Sequence, residues 1–407
     1  MSTPMRSWGA AVAVVAMLLA GCTSTIQGRP TMQPGATATD DVDLAALDTG
    51  NYPVTARPPL GVAGDPTKGS WAESRRMATN VLGPWEADSN LDTYDQLSTG
   101  VIKGPKTVSF FLGAPIGDGL ADHNFVAGFS SGRHSSTGPA KALVNLVLRL
   151  ASPADATAAV AAMAANSGSL TLPFADKAVD TQPFSIPRHP QTAAVTYRYT
   201  DPRGAGQRFS VTAFTAYGAY VLCQGADSDD SAEQAARLIA TTVELQQPLI
   251  DKFTPTPLDQ LPQLALDPDG LLAHTLPPAT DNQTVEDGVY DRLGILHFQS
   301  SPARAQALLK SVGLQQGSYT ATTKVFQTGN AASAGRIADD FASRAIDANH
   351  TRPAAGVAGM PGATCFQEPL GYWCIAAADR YAYLVQSQHE ADVHQMTSAQ
   401  YRILTGK

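Results

Sequence analysis

No run of lysine or arginine occurs in this chain, and its 28 basic residues are outnumbered by 36 acidic ones, for a net charge of −8. The electrostatic footprint of a nucleic-acid binder is therefore missing, and so is a polybasic patch for anionic headgroups. Charge of either sign is sparse at 16%, while apolar residues reach 43%, which describes a lightly charged globular body rather than a disordered one. Beyond one short run near the start, no stretch approaches the roughly 20 apolar residues of a membrane span. Cysteine is scarce too: only Cys22, Cys223, Cys365 and Cys374 are present. No histidine or second cysteine stands at zinc-ligand spacing around them. The histidines are scattered, with no two placed as a helical pair, so Asp122, His123 and His134 read as loop or surface residues. No metal and no cofactor is expected.

What is present is an anchor. Trp8 to Ala20 is apolar and follows a short n-region with Arg6 as its basic residue. The run has the length of a signal-peptide core. It closes on Leu19-Ala20-Gly21-Cys22, small residues ahead of a thiol that can carry a diacylglycerol. Cys22 is the expected lipidation site. Two or more acyl chains there give stable attachment to the outer face of the bacterial cytoplasmic membrane, whereas one is marginal. Residues 22–41, rich in Thr, Gly and Pro, form a tether, and about 18 flexible residues span roughly 25 Å.

The remaining length accommodates two domains. Composition places an N-terminal domain at 42–250, a Pro-rich linker at 251–288 and a C-terminal domain at 289–407, after a signal peptide at 1–21. Ser70 is placed to cap a helix over Trp71–Leu82, with Glu73 as its reciprocal partner. Thr107 to Leu112 reads as a short strand, and Lys141 to Leu150 as a largely buried one. Ser152-Pro153-Ala154-Asp155 opens a helix. A hairpin turns near Tyr217-Gly218, and Asp230-Ser231 opens the next helix. The second half repeats this order, ending in strands around Cys365, Cys374 and Tyr381–Gln386 and a last helix carrying Val393, Met396 and Ile403. Aligning Val211–Leu222 with Cys374–Val385 superimposes Tyr220 on Tyr383 and leaves Gln386 opposite Cys223. The fold class is α+β: two similar halves, each a mainly antiparallel sheet with helices packed on it, in a β-α-β-β-α repeat. Whether the halves are one unit or two stays open.

Cys365 and Cys374 flank a Pro-Leu-Gly turn, so a hairpin disulfide is the natural pairing, with Cys223 to either partner as the alternatives. Gly128-Phe129-Ser130-Ser131-Gly132 matches G-x-S-x-G, which in hydrolases exposes a serine on a strand-to-helix turn. Here loop chemistry follows instead of a helix, and no spacing selects Asp180, His189, His274 or His297 as a partner for Ser130. The segment reads as a Gly/Ser loop after a short strand at 124–127. Trp71, Trp85 and Trp373 either pack or line a carbohydrate or lipid groove.

The lipobox, Leu47-Asp48-Thr49-Gly50-Asn51-Tyr52-Pro53, the paired halves and the Cys365/Cys374 hairpin together resemble a mycobacterial-type (actinobacterial) family of cell-envelope lipoproteins built on a two-part domain of unknown function. The resemblance covers nearly the whole mature chain and implies location and architecture, with no catalytic residues. The expected function is a lipid-anchored, non-enzymatic binding or accessory module. It would meet the membrane through Cys22, an envelope protein, lipid or glycan as partner, and no nucleic acid. A serine hydrolase using Ser130 and an extracellular ligand-sensing domain are the alternatives.

Overall fold

The computed structural model describes residues 42–172, 178–201, 206–278, 284–347 and 351–407. Cys22, the signal segment and the tether lie outside the described residues. None of the described helices is long and apolar enough to cross a membrane.

The first half runs α1 (Pro66–Met77), α2 (Pro84–Ala87), β1 (Thr93–Tyr94), β2 (Gly100–Val101), α3 (Pro105–Leu112), α4 (Ala114–Leu120), β3 (Phe125–His134), β4 (Lys141–Leu150) and α5 (Pro153–Asn166). It continues with β5 (Ser169–Leu170), β6 (Val179–Asp180), β7 (Gln182–Pro183), β8 (Ala193–Thr200), β9 (Gln207–Tyr217), β10 (Tyr220–Ser228) and α6 (Ala232–Ile250). The second half runs β11 (Gly288–Asp291), α7 (Pro302–Ser311), β12 (Gln316–Tyr319), β13 (Thr323–Gln327), α8 (Ala331–Asp347), β14 (Arg352–Pro353), β15 (Thr364–Glu368), β16 (Gly371–Ala378), β17 (Tyr381–Ser387) and α9 (Glu390–Thr405).

Both large sheets are antiparallel, and they share one topology. The first orders β3-β4-β10-β9-β8-β7, the second β12-β13-β17-β16-β15-β14, with β1 and β11 added at the equivalent edge. Each sheet carries a helix on either face, α5 and α6 on the first, α8 and α9 on the second. The duplicated α+β architecture is therefore real, and each copy holds more strands than β-α-β-β-α counts. The alignment of the hairpins shifts by two residues. Tyr217 pairs with Tyr220 and Ala378 with Tyr381, and the first turn residues, Gly218 and Asp379, both take positive φ. Tyr220 thus corresponds to Tyr381, and Cys223 to Leu384 rather than Gln386. A slip of two keeps every side chain on its own face, which is why the pattern of apolar positions could not reveal it.

Local signals placed most elements. Ser152 caps α5 by accepting from Asp155 N, with Pro153 at the first helical position, and Ser231 caps α6 in the same way. Three readings change. α1 starts five residues early, because Asp65 accepts from Lys68 N and Pro66 pre-sets φ. Ser70 instead donates to Val126 O inside the helix. Thr107–Leu112 is helical: Pro105 opens α3, and buried Val108 and Leu112, four apart, form its inward face. A six-residue apolar run is ambiguous between strand and helix by periodicity alone. Finally, the Gly/Ser stretch is no loop but the middle of β3. A Cβ on Gly132 would sit 1.8 Å from Ser98 Oγ, and one on Gly128 would lie 3.0 Å from Leu148 and 3.1 Å from Ile102. Small residues are required there because the 96–102 segment lies directly on the strand.

The two sheets meet in a common core. Met77, Phe129, Val147 and Leu222 of the first half pack in one cluster with Tyr290, Phe298, Tyr319, Phe326 and Ile337 of the second. Residues 42–56 pass over the second sheet before the chain enters the first half: Val42, Leu44, Leu47, Tyr52 and Ala56 pack with Val393, Met396 and Tyr401. In the Pro-rich stretch, Leu261 is buried in the common core. Leu271 and Leu276 are buried in the second core. Gln400 accepts from Leu276 N and donates to His274 O.

Candidate functional site

The buried polar groups at the junction of the two halves include the serine segment. Ser130 is fully buried in β3, and its hydroxyl donates to Ser98 O at 2.6 Å. The elbow geometry that exposes a nucleophile is absent. The histidine that the sequence could not select, His297, pairs with the adjacent serine: Nδ1 lies 2.8 Å from Ser131 Oγ and Nε2 lies 2.9 Å from Ala78 O. A carbonyl only accepts, so Nε2 carries the proton and Ser131 donates to Nδ1. Burial, with Arg133 nearby, pulls the His297 pKa down to about 4. This neutral pair ties the two halves together, with both side chains sealed from solvent.

Arg133 completes the junction. Its guanidinium donates to Leu296 O and His297 O at 3.2 and 2.9 Å and stacks between Trp85 and Tyr94, 5.0 and 5.4 Å from the ring centroids. Tyr94 donates to Glu286 at 2.7 Å. Trp85 is thus a packing residue. His123 and His134 stand at opposite ends of β3, roughly 30 Å apart at strand rise, so they do not share an ion. Cys365 and Cys374 are directly opposed on β15 and β16 and form a disulfide, S–S 1.98 Å. His394 lies beside them, but its Nε2 is 3.0 Å from Ala355 O, and disulfide sulfurs offer no thiolate to a metal. Cys223 is a buried free thiol whose pKa burial raises.

A cleft lies where this disulfide hairpin, the Asp48–Pro53 segment and α9 meet. It has a volume of about 930 Å³. Asp48 accepts from Gln395 Nε2 at 2.8 Å, and Gly50 takes φ +52, where an added Cβ would meet the end of the Gln395 side chain. That close approach seats Tyr52, whose hydroxyl donates to Asp392 Oδ1 at 2.6 Å. Burial and the Asp392 carboxylate push the phenol up to about 12, so it remains a donor. Tyr372 and Trp373 of β16 also line the cleft, from opposite faces of the strand: Tyr372 packs on the same core as Tyr52, Trp373 on the common core. Trp373 stacks on buried Phe366, with centroids 4.7 Å apart at 30°, and its Nε1 donates to Glu368 at 2.9 Å. Leu370, 91% exposed, forms the lip at the hairpin tip. Gln386, Ser387 and His389 line the cleft, and Gln96 reaches it from the first half. No lysine or arginine is among the lining residues. The tryptophan and the D-T-G-N-Y-P stretch were visible in the sequence. That both line one cleft was not, since about 320 residues separate them in the chain.

An α+β body of two fused, topologically equivalent sheets, with an open aromatic cleft at one end, is the class this fold defines. The chain belongs to the DUF7373 family: its N-terminal domain of unknown function matches residues 60–266 and its C-terminal domain residues 271–407. No curated protein matches the chain. Among solved structures, the extracellular domain of PknH from Mycobacterium tuberculosis matches at 13% identity, covering 43% of this chain and 96% of that one with a TM-score of 0.31.

Proposed function

We propose that the protein is a non-catalytic binding module of the cell envelope, held by lipid on Cys22 at the outer face of the cytoplasmic membrane, and that its cleft takes a neutral glycan. One observation carries the ligand class. Tyr52, Tyr372 and Trp373 line the cleft beside the Glu368 and Asp392 carboxylates, with amide and hydroxyl groups between them and no lysine or arginine. Apolar ring faces with a few placed polar groups suit a hydroxyl-rich ligand. Carboxylates without a cation repel an anionic one.

Titration of the mature chain with neutral oligosaccharides, followed by tryptophan fluorescence and calorimetry, tests the reading. Saturable binding is expected, weakened tenfold or more by Trp373→Ala. The proposal fails if no saccharide binds, or if Trp373→Ala binds as tightly as the parent. Metabolic labelling with an alkyne fatty acid tests the anchor: label is expected on the parent and absent from Cys22→Ser, and equal labelling would refute it.

A further inference from the structure

A second cavity, of about 320 Å³, opens where α1 meets the chain segments around Arg57 and Leu266–Leu272. Its chemistry is the reverse of the cleft's. Arg57, Lys68 and Arg75 line it, against one carboxylate, Asp287, and the apolar surface comes from Trp71, Leu266 and Leu272. In a chain of net charge −8, three cations to one acid is a local inversion of sign.

Among the described residues, two donors in these walls have no partner: Arg57 Nε and Trp71 Nε1, both buried. An unmatched buried donor costs about 1–3 kcal/mol, and such groups in a native fold call for an explanation. The neighbouring groups are already engaged elsewhere. Arg57 Nη2 donates to Leu272 O, and Arg75 Nε donates to Asp287 O at 2.7 Å. Lys103 Nζ stands 5.1 Å from the centroid of the Trp71 ring. Lys68 meets Asp65 at 3.4 Å, but both are well exposed, so that pair is screened and weak. The Asp267 carboxylate accepts from Leu272 N and Ala273 N, so it is committed to the segment that forms the wall.

We infer that this cavity binds a small anionic amphiphile, with a carboxylate or phosphate-monoester head on Arg57, Lys68 and Arg75 and a short apolar chain against Trp71, Leu266 and Leu272. The head meets the three cations, the two unmatched donors behind them adding to the positive field, and charge-assisted bonds from a guanidinium are the stronger kind. The volume stands at the lower end of small-molecule sites, ~300–1,000 Å³. At ~30 Å³ per water-sized group it holds about ten heavy atoms. That admits octanoate whole and octyl phosphate with its last few carbons at the cavity's opening, and excludes a full diacyl lipid.

The test is calorimetry on the full mature chain with octanoate, octyl phosphate, octyltrimethylammonium and inorganic phosphate. At least one octyl anion is expected to bind tenfold or more tightly than the octyl cation and than inorganic phosphate. Octanoate ahead of octyl phosphate assigns the head to a fatty acid, and the reverse order assigns it to a phosphoester. Lys68→Glu is expected to weaken the preferred anion at least tenfold. The residue is exposed, and a glutamate is favourable in the first turn of a helix, so the fold survives. Trp71→Phe keeps the ring, removes the donor and should weaken binding severalfold. Trp373→Ala, in the other cleft, should change nothing, which separates this inference from the glycan reading. Equal affinity for the octyl cation, inorganic phosphate binding as tightly as octyl phosphate, or a Lys68→Glu variant as tight as the parent would each overturn it.

Discussion

At the scale of the residue, His297 shows how burial sets chemistry. Its folded pKa, about 4, lies below the ~6.5 of an unfolded histidine. Between those values the unfolded chain takes up a proton that the folded chain refuses. The stability this group contributes is therefore fully present above pH 6.5 and drains away as pH falls toward 4, by about 3 kcal/mol. Urea melts across that window should show the parent losing about that much more than His297→Gln. Equal slopes would mean that the ring is solvated. The residue scale also shows what a motif search misses. The matched serine, Ser130, spends its hydroxyl on Ser98 O, while its neighbour Ser131 meets the histidine. Adjacent strand residues point to opposite faces, so only placement on β3 decides between them. The Cys365–Cys374 pairing was legible because both cysteines belong to one hairpin with an evident turn.

At the scale of the element, caps were readable wherever they act within one turn, as Ser152 and Ser231 do. They misled where a nearer competitor existed. Asp65-Pro66 starts α1 ahead of Ser70, and Glu73, three residues after Ser70, is fully buried and paired with Arg149 at 2.6 Å instead of closing a capping box. Gly69 gives the element-scale prediction. In an open helix, Gly→Ala gains about 1 kcal/mol. Here an added Cβ would stand 2.2 Å from Leu261 O, a backbone atom of the 258–263 turn packed on α1. Gly69→Ala should therefore lower stability, by about 1–3 kcal/mol, with a reduced urea midpoint. A stabilised variant would show that this turn moves freely.

At the scale of the whole molecule, the two sheets behave as one body because their inner faces are shared. Phe129 makes edge contacts with Tyr290 and Phe298, centroids 6.3 and 6.1 Å apart, and Arg133 is sealed between Trp85 and Tyr94. Splitting the halves would expose this cluster and strand the Arg133 guanidinium. Unfolding should follow one transition, with circular dichroism and tryptophan fluorescence coincident in urea. Chains 60–266 and 271–407 expressed apart should bind a hydrophobic dye and fail to give that cooperative melt. Two separated transitions in the full chain, or a sharp melt from either half, would overturn the single-body account.

The sequence by itself determined what depends on near neighbours: the lipobox pattern, the hairpin that pairs Cys365 with Cys374, the helix caps and the duplicated order of elements. These arise from contacts a few residues apart, where side-chain period and turn chemistry are written locally. Only the tertiary structure decided the burial of Ser130, the union of the two sheets and the meeting of Tyr52 with Asp392. Each of these rests on groups tens to hundreds of residues apart, brought together when apolar faces that look alike in sequence select one partner by shape.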